Sequence, residues 1–291
     1  MKKILMVIMP FFLVHQGYAQ EPDSTPPEKQ RKFSIGLDYT YMSTSLNLTG
    51  MSFQSIWDGQ DLGTEILPLD EIDSVNAFVD YSNRFQGLHL EVGMIFLNKP
   101  ASRWKVEGKV LIGLVKRKYN VYNQSTDITD MQITSEAITP GFGYTMNIGY
   151  TFNSFWGVRA VPYIFYSWGK SNKVEDNVHP VVPGMTECRS NKSNYLYARF
   201  NLMATLTVKN FTVFAGPGFY LLRIWNNYEI LREDPIDGTM YEDYIESRLF
   251  SPSFIDATVA LEWQFVSWMS VNLTGAAGND LMIRAGIRYH L

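Results

Sequence analysis

The chain ends in LMIRAGIRYHL, residues 281–291. Counting back from the terminus, Leu291, Tyr289, Ile287, Ala285, Ile283 and Leu281 fall on one side. His290, Arg288, Gly286, Arg284 and Met282 fall on the other. A period of two is the signature of a strand, so this is a strand with one oily face and one face carrying two arginines. The same alternation recurs along most of the chain. ITPGFGYTMNIGYTF (138–152) sets Ile138, Phe142, Tyr144, Met146, Ile148, Tyr150 and Phe152 against Thr139, Gly141, Gly143, Thr145, Asn147, Gly149 and Thr151. FSIGLDYTY (33–41), GLHLEVGMIF (87–96), RWKVEGKVLIGL (103–114), WGVRAVPYIFYSW (156–168), YLYARFNLMATLTV (195–208), FTVFAGPGFYL (211–221), FIDATVALEWQF (254–265) and MSVNLTG (269–275) complete a set of ten predicted strands.

The connections between them alternate in length. Long ones run over 43–84, 120–135, 170–194 and 226–251, and short ones over 98–102, 153–154, 209–210 and 266–268. The last long-side connection, 276–280, is brief. All the long connections therefore lie at one end of the strands. With an even strand count, both termini lie at the other.

A soluble sandwich or lipocalin-like barrel would also have short strands and regular turns. Three features argue instead for a membrane barrel. Strands of about 9 to 14 residues match what a tilted strand needs to cross hydrocarbon. The Gly, Thr and Asn face of 139–151 suits a crowded interior rather than a soluble exterior. Aromatic residues gather near strand ends: Trp104, Phe152, Trp156, Phe211, Trp268 and Tyr289 toward the turns, and Tyr39, Tyr41, Tyr166 and Trp168 toward the long connections. Such girdles mark two membrane interfaces. The expected fold is an all-β, antiparallel, up-and-down transmembrane barrel of ten strands. Eight and twelve are the alternatives, because the first long connection has room for a hairpin. Pro140, Pro162 and Pro217 fall within strands, where a closed barrel has no free edge for them. Pro140 is expected at a strand start, the other two at bulges.

Composition agrees. Aromatics make up 14% of the 291 residues and charged residues only 19%, a charge-poor balance for a soluble domain. The net charge of -4 gives no footprint for nucleic acid. Cys188 is the sole cysteine, which excludes an internal disulfide. Residues 1–19 read as a secretory signal: Lys2 and Lys3 precede an apolar run over 4–14, and Gly17 and Ala19 supply the small cleavage residues. Residues 20–32 read as a polar, Pro-rich flexible periplasmic lead-in, and 33–291 as the barrel domain. No uncharged apolar stretch of about 18 residues occurs in the mature chain, so no membrane helix is expected.

The leader, the alternating strands, the loop asymmetry and the terminal Tyr289-His290-Leu291 together resemble small bacterial outer-membrane β-barrel proteins, of the type common in Bacteroidetes. The resemblance implies an assembly signal in the last strand, carried by Ile287, Tyr289 and Leu291. It implies as partners the barrel-assembly machinery and outer-membrane lipid, and the acidic long connections suit bridging to lipopolysaccharide through divalent cations. The resemblance also implies an outer-membrane location with long loops extracellular and both termini periplasmic. A family member usually ends in an aromatic residue, whereas this chain ends in Leu291 with Tyr289 two before it.

The face opposite the oily one should line the barrel. It carries Asp38, His89, Glu91, Lys105, Glu107, Lys109, Arg159, Arg199, Asp256, Glu262, Arg284, Arg288 and His290. Near-balanced charge in a narrow interior implies paired networks, because an unpaired buried charge is costly. A plugged interior with a structural or interaction role is the first functional expectation. A narrow porin or small-ligand channel is the second. A rim-active hydrolase is the third, and would need a histidine poised beside a carboxylate. His89 with Glu91 is the nearest candidate, more simply a structural ion pair. No Asp-x-His or His-x-Ser pair occurs, so no catalytic residues are assigned and no enzyme is expected. No cofactor or metal is expected either, since the acidic long connections match no calcium-loop spacing. In the first of those connections, Ile66, Leu67, Leu69, Ile72, Val75, Phe78 and Val79 predict a segment folding over the barrel mouth.

Overall fold

A computed structural model of the chain describes residues 32–97, 103–123, 132–170, 173–177, 185–233, 236–251, 254–278 and 280–291. The leader, nearly all of the lead-in, and His179 lie outside the described residues. Thirteen strands and one helix follow in order: β1 (Phe33–Trp57), β2 (Gln60–Ile66), α1 (Leu69–Phe78), β3 (Val79–Leu97), β4 (Trp104–Asn123), β5 (Gln132–Thr151), β6 (Trp156–Lys170), β7 (Lys173–Asn177), β8 (Met185–Val208), β9 (Phe211–Glu233), β10 (Met240–Phe250), β11 (Ile255–Val266), β12 (Met269–Ala277) and β13 (Leu281–His290).

Ten of these form a closed ring, β1-β3-β4-β5-β6-β8-β9-β11-β12-β13, in which every neighbour is antiparallel. Closure is made by β1 against β13, with Ile35 opposite Tyr289 and Tyr41 opposite Ile283. The ten strands are those read from the alternation. Closure leaves no edge whose backbone groups would go unpaired in hydrocarbon.

The faces sort as the alternation dictates. Ser34, Asp38, Thr40 and Met42 of β1 are buried inside, while Phe33, Ile35, Leu37 and Tyr39 are exposed outside. Leu88, Leu90, Val92, Met94 and Phe96 of β3 are exposed likewise, as are Ile283, Ile287 and Tyr289 of β13. An unbroken apolar band of this kind suits lipid, not water. The aromatic ends are also outward: Trp104, Phe152, Trp156, Phe211, Trp268 and Tyr289 at the turn end, and Tyr39, Tyr166 and Trp168 at the other. Several are stacked in pairs, Phe211 on Trp263 at 5.4 Å and Tyr166 on Trp168 at 5.6 Å.

The long connections are a correction to the sequence reading. Their described residues are largely strand. β1 runs 16 residues past Tyr41 to Trp57, and β9 runs to Glu233. There β10 inserts between them, Leu249 pairing with Leu48 and with Ile224. Thus β9-β10-β1 takes over from β9-β11-β12-β13-β1, and the tube continues with fewer strands beyond the apolar band. Asp280 sits where β1 changes partner, accepting from Ser45 N at 3.3 Å and from Ser251 Oγ at 3.3 Å. The hairpin allowed for in the first connection exists as β1–β2. It extends this upper sheet rather than adding a barrel strand. Its turn is Asp58-Gly59, with φ of 46° and 75°, the left-handed pair that closes a two-residue hairpin.

Helix α1 follows the hairpin. Asp70 and Glu71 in its first turn suit the positive end of the helix dipole. Ile72 is buried in the barrel core, and Leu67 and Val75 pack against it. Ile66 and Leu69 are exposed instead. The side chains of Phe78 and Val79 lie outside the described set. Asn76 fastens the helix to β1: its Oδ1 accepts from Leu48 N and its Nδ2 donates to Leu48 O, both at 2.8 Å. It fills the gap in the β1 edge between the partner strands β3 and β2.

The prolines are accommodated without bulges. Pro140 is not at a strand start but inside β5, opposite Leu114, where the ladder to β6 ends. The β5–β6 ladder skips Pro162 between Thr145–Tyr163 and Ile148–Ala160 while its register is kept. Thr145 Oγ1 donates to the Pro162 carbonyl at 3.0 Å. The β8–β9 ladder skips Pro217 in the same way, between Asn201–Gly218 and Ala204–Ala215.

Candidate functional site: the barrel interior

The interior is built in two layers. The layer toward the turn end is ionic, and its side chains come from the inward positions of seven strands. Arg284 of β13 bridges Asp38 of β1 and Glu91 of β3. Glu91 also meets Lys109 Nζ at 3.7 Å and Arg288 at 3.4 Å. Arg288 reaches Glu262 at 3.9 Å, and Glu262 in turn meets Arg159 at 3.6 Å. Glu107 accepts from Ser34 Oγ at 3.4 Å. A second group centres on Arg199. It donates to Asp256 Oδ1 at 2.6 Å, Thr258 Oγ1 at 2.7 Å, Asn201 Oδ1 at 2.8 Å and Tyr197 OH at 2.9 Å. Five carboxylates thus balance Lys109 and four arginines in a low-dielectric space, which makes paired geometry obligatory.

The second layer, toward the long connections, is apolar and aromatic. Phe85, Phe165, Tyr195, Tyr197 and Tyr220 interlock, with Met42, Val115, Leu222, Ile224 and Leu249 around them. Phe85 stacks on Tyr195 at 5.0 Å and meets Phe165 edge-on at 5.9 Å. The glycines of β5 make this possible. A Cβ at Gly141 would lie 2.1 Å from Phe165 Cζ, and one at Gly143 would lie 2.8 Å from Phe165 Cδ2. Gly141 and Gly143 are therefore the bed of an aromatic plug. Cations cap the layer from below: Arg284 lies over Tyr163 at 5.5 Å and Arg199 over Tyr220 at 6.0 Å. A cavity of about 120 Å³ runs from the aromatic layer into the ionic one, lined by Phe85, Tyr195 and Tyr197 and by Arg159, Glu262 and Arg288 among others.

Eleven of the thirteen interior residues read from the sequence fall in or beside the ionic layer. Two do not join it. Lys105 is exposed at the mouth and makes no ion pair among the described residues. His89 does not pair with Glu91. It is fully buried in the aromatic layer, 4.8 Å from Phe165 edge-on and 6.3 Å from Phe85, and neither ring nitrogen has a hydrogen-bond partner among the described residues. Adjacent inward positions on a strand share a face, but they sit in successive layers. That places His89 above the boundary and Glu91 below it. His290 lies at the turn-end mouth, within 3.0 Å of Ser270 Oγ. Among the described residues, no three His, Cys, Asp or Glu side chains gather as a metal-binding group.

The alternation alone does not single out the aromatic layer. Its signal was present in the positions opposite the lipid face: Tyr195, Tyr197, Arg199 and Asn201 alternate with Leu196, Ala198, Phe200 and Leu202.

No protein-family model matches this chain, and no curated protein does. Solved structures do resemble it in architecture. The transport unit of the autotransporter AIDA-I from Escherichia coli is 12% identical, with 91% of this chain and 92% of that chain covered and a TM-score of 0.44. The outer membrane protein OprG from Pseudomonas aeruginosa is 12% identical over 90% and 98%, with a TM-score of 0.38. The outer membrane protease OmpT from Escherichia coli is 10% identical over 89% and 97%, with a TM-score of 0.37.

Proposed function

We propose that this chain is a non-conducting bacterial outer-membrane barrel, whose working surface is the sheet that projects beyond the apolar band. In this reading the extensions of β1, β8 and β9, with β2, β10 and α1, face the cell exterior. Both termini face the periplasm. The assembly signal is the outward Ile287 and Tyr289 with Leu291. The observation that carries the reading is the filled interior: an ionic layer and an aromatic layer lie in series across one lumen. Ions crossing it would have to break buried pairs and then displace a packed core. The projecting sheet supports an interaction role, because β10 and α1 tie it down from both sides.

The mature protein, refolded and reconstituted in a planar bilayer, is expected to be silent. Folding is to be shown independently by heat-modifiable gel mobility. Regular conductance steps from folded protein, shifted by Arg199→Ala, would establish the narrow channel instead. The membrane placement has its own check. Leu90 is 48% exposed at the middle of the β3 lipid face. Leu90→Arg is expected to destabilise the folded protein in vesicles by about 2 to 4 kcal/mol. A change at the inward neighbour Glu91 would act through the ionic layer instead. If urea unfolding of Leu90→Arg in vesicles matches the parent, this face does not meet hydrocarbon.

A further inference from the structure

The outward surface just beyond the apolar band is unlike the rest of the exterior. Lys116 stands two residues past the lipid-facing Leu114, on the same face of β4, and Lys118 follows it. Lys170 stands two past Trp168 on β6. Arg84 lies beyond Leu88 on β3, Lys192 beyond Leu196 on β8, and Arg223 beyond Phe219 on β9. All six lie on the outer face, and Arg84, Lys116, Lys170, Lys192 and Arg223 are exposed. They form an arc over neighbouring strands, directly above the aromatic girdle of Tyr166 and Trp168. In contrast, the stretch 33–83 contains neither Lys nor Arg.

Within the arc, like charges face each other across strands. Arg84 is opposite Lys118, and Lys170 is opposite Lys192. Directly opposed side chains have Cβ atoms about 5 Å apart, and like charges there are destabilising unless something neutralises them. Among the described residues, one carboxylate is ion-paired within the arc. Glu136 meets Lys116 at 3.3 Å and Lys118 at 3.9 Å. Arg84, Lys170 and Lys192 make no ion pair among the described residues. Lys118 is thus partly neutralised and Lys192 shares a pocket with Glu229 and Glu246, whereas their opposed partners Arg84 and Lys170 hold the positive charge left over at the height where lipid headgroups meet the barrel wall.

We propose that this arc is a binding site for the phosphate groups of a phosphorylated glycolipid in the outer leaflet. It rests on the outer-membrane reading above and specifies where the lipid partner docks. A phosphate seated between two opposed cations removes their repulsion and makes charge-assisted hydrogen bonds to both. A lipid source is favoured over free phosphate by position. A ligand held by Lys116 and Lys170 has its attached acyl chains beside Leu114 and Trp168.

The test uses the full mature protein refolded in detergent, with diphosphorylated lipid A as the probe and native mass spectrometry or a gel shift as the readout. The parent is expected to hold the lipid. Each of two double variants, Arg84→Gln with Lys118→Gln and Lys170→Gln with Lys192→Gln, is expected to bind about 10- to 30-fold more weakly. Arg103→Gln at the opposite rim should bind as the parent does. Dephosphorylated lipid A is expected to bind the parent no better than the double variants bind the intact lipid. Equal binding by parent and both double variants overturns the proposal. So does equal binding of the dephosphorylated lipid. Displacement of the lipid by millimolar inorganic phosphate would make this a general anion site and also overturn it. Heat-modifiable mobility separates the two readings: a parent that never folds in a bilayer defeats the membrane reading. A folded parent that fails to retain lipid defeats only this one.

Discussion

Arg284→Ala is expected to cost about 3 to 5 kcal/mol of folded-state stability, read from equilibrium urea unfolding in vesicles. Arg284 is the joint of the ionic layer. It bridges Asp38 and Glu91, which are 1% and 3% exposed, so neither carboxylate can turn to water when the guanidinium is lost. The large cost arises because the acids stay behind, not because the ion pair is strong compared with an apolar alternative. A double-mutant test follows from this. Adding Asp38→Asn to Arg284→Ala should recover a substantial part of the loss, because it removes one stranded charge. If Arg284→Ala alone unfolds like the parent, or if the second change adds a further full penalty, the layer is not held by pairing around Arg284.

Phe165→Ala should lower stability by a comparable amount, about 3 to 5 kcal/mol, through a different cause. The Phe165 ring is 1% exposed and fills the hollow above Gly141 and Gly143, against Phe85 and His89. Removing it leaves a void that the barrel wall is too stiff to close. The glycines identify the cause. Gly141→Ala in the parent should also destabilise, because the new methyl group meets the ring. In the Phe165→Ala background the same change should be neutral or stabilising, because the space is then free. Additive losses would mean that ring and glycine do not share that space. Planar-bilayer recording of folded Phe165→Ala is expected to stay silent, because the ionic layer still lies across the lumen.

The legible part of this protein was whatever depends on a single strand. Leu281 to Leu291 was read with its oily and charged faces correctly assigned, because alternation forces successive side chains to opposite sides of a sheet. The small face of 139–151 was read as crowded, and Gly141 and Gly143 do lie under Phe165. The strand pairs around Asp58-Gly59 and Asp237-Gly238 fall in connections where the alternation gives no strand, with room for a hairpin only in the first, although both Asp-Gly steps are hairpin turn signals with left-handed glycines. They lay within acidic, weakly alternating sequence. What makes that sequence into strands is pairing of β1 with β10 and of β9 with β10, between segments nearly 200 residues apart in the first case.

By itself, then, the sequence determined the ten barrel strands, the face each turns outward, and the inventory of charges turned inward along those strands; buried Arg117 and Asp280 lie beyond them. Those three features follow from the two-residue period and the intolerance of hydrocarbon for unpaired backbone and bare charge. Only the tertiary structure decided how that inventory is stacked. The stagger between neighbouring strands sets each inward residue's height. It placed Arg284 between Asp38 and Glu91, which are distant from it in sequence, and it set His89 among rings rather than beside Glu91. It also brought Lys170 opposite Lys192, and Arg84 opposite Lys118, on the outer rim. Height in a barrel is a property of the register between strands, and no one strand's pattern contains it.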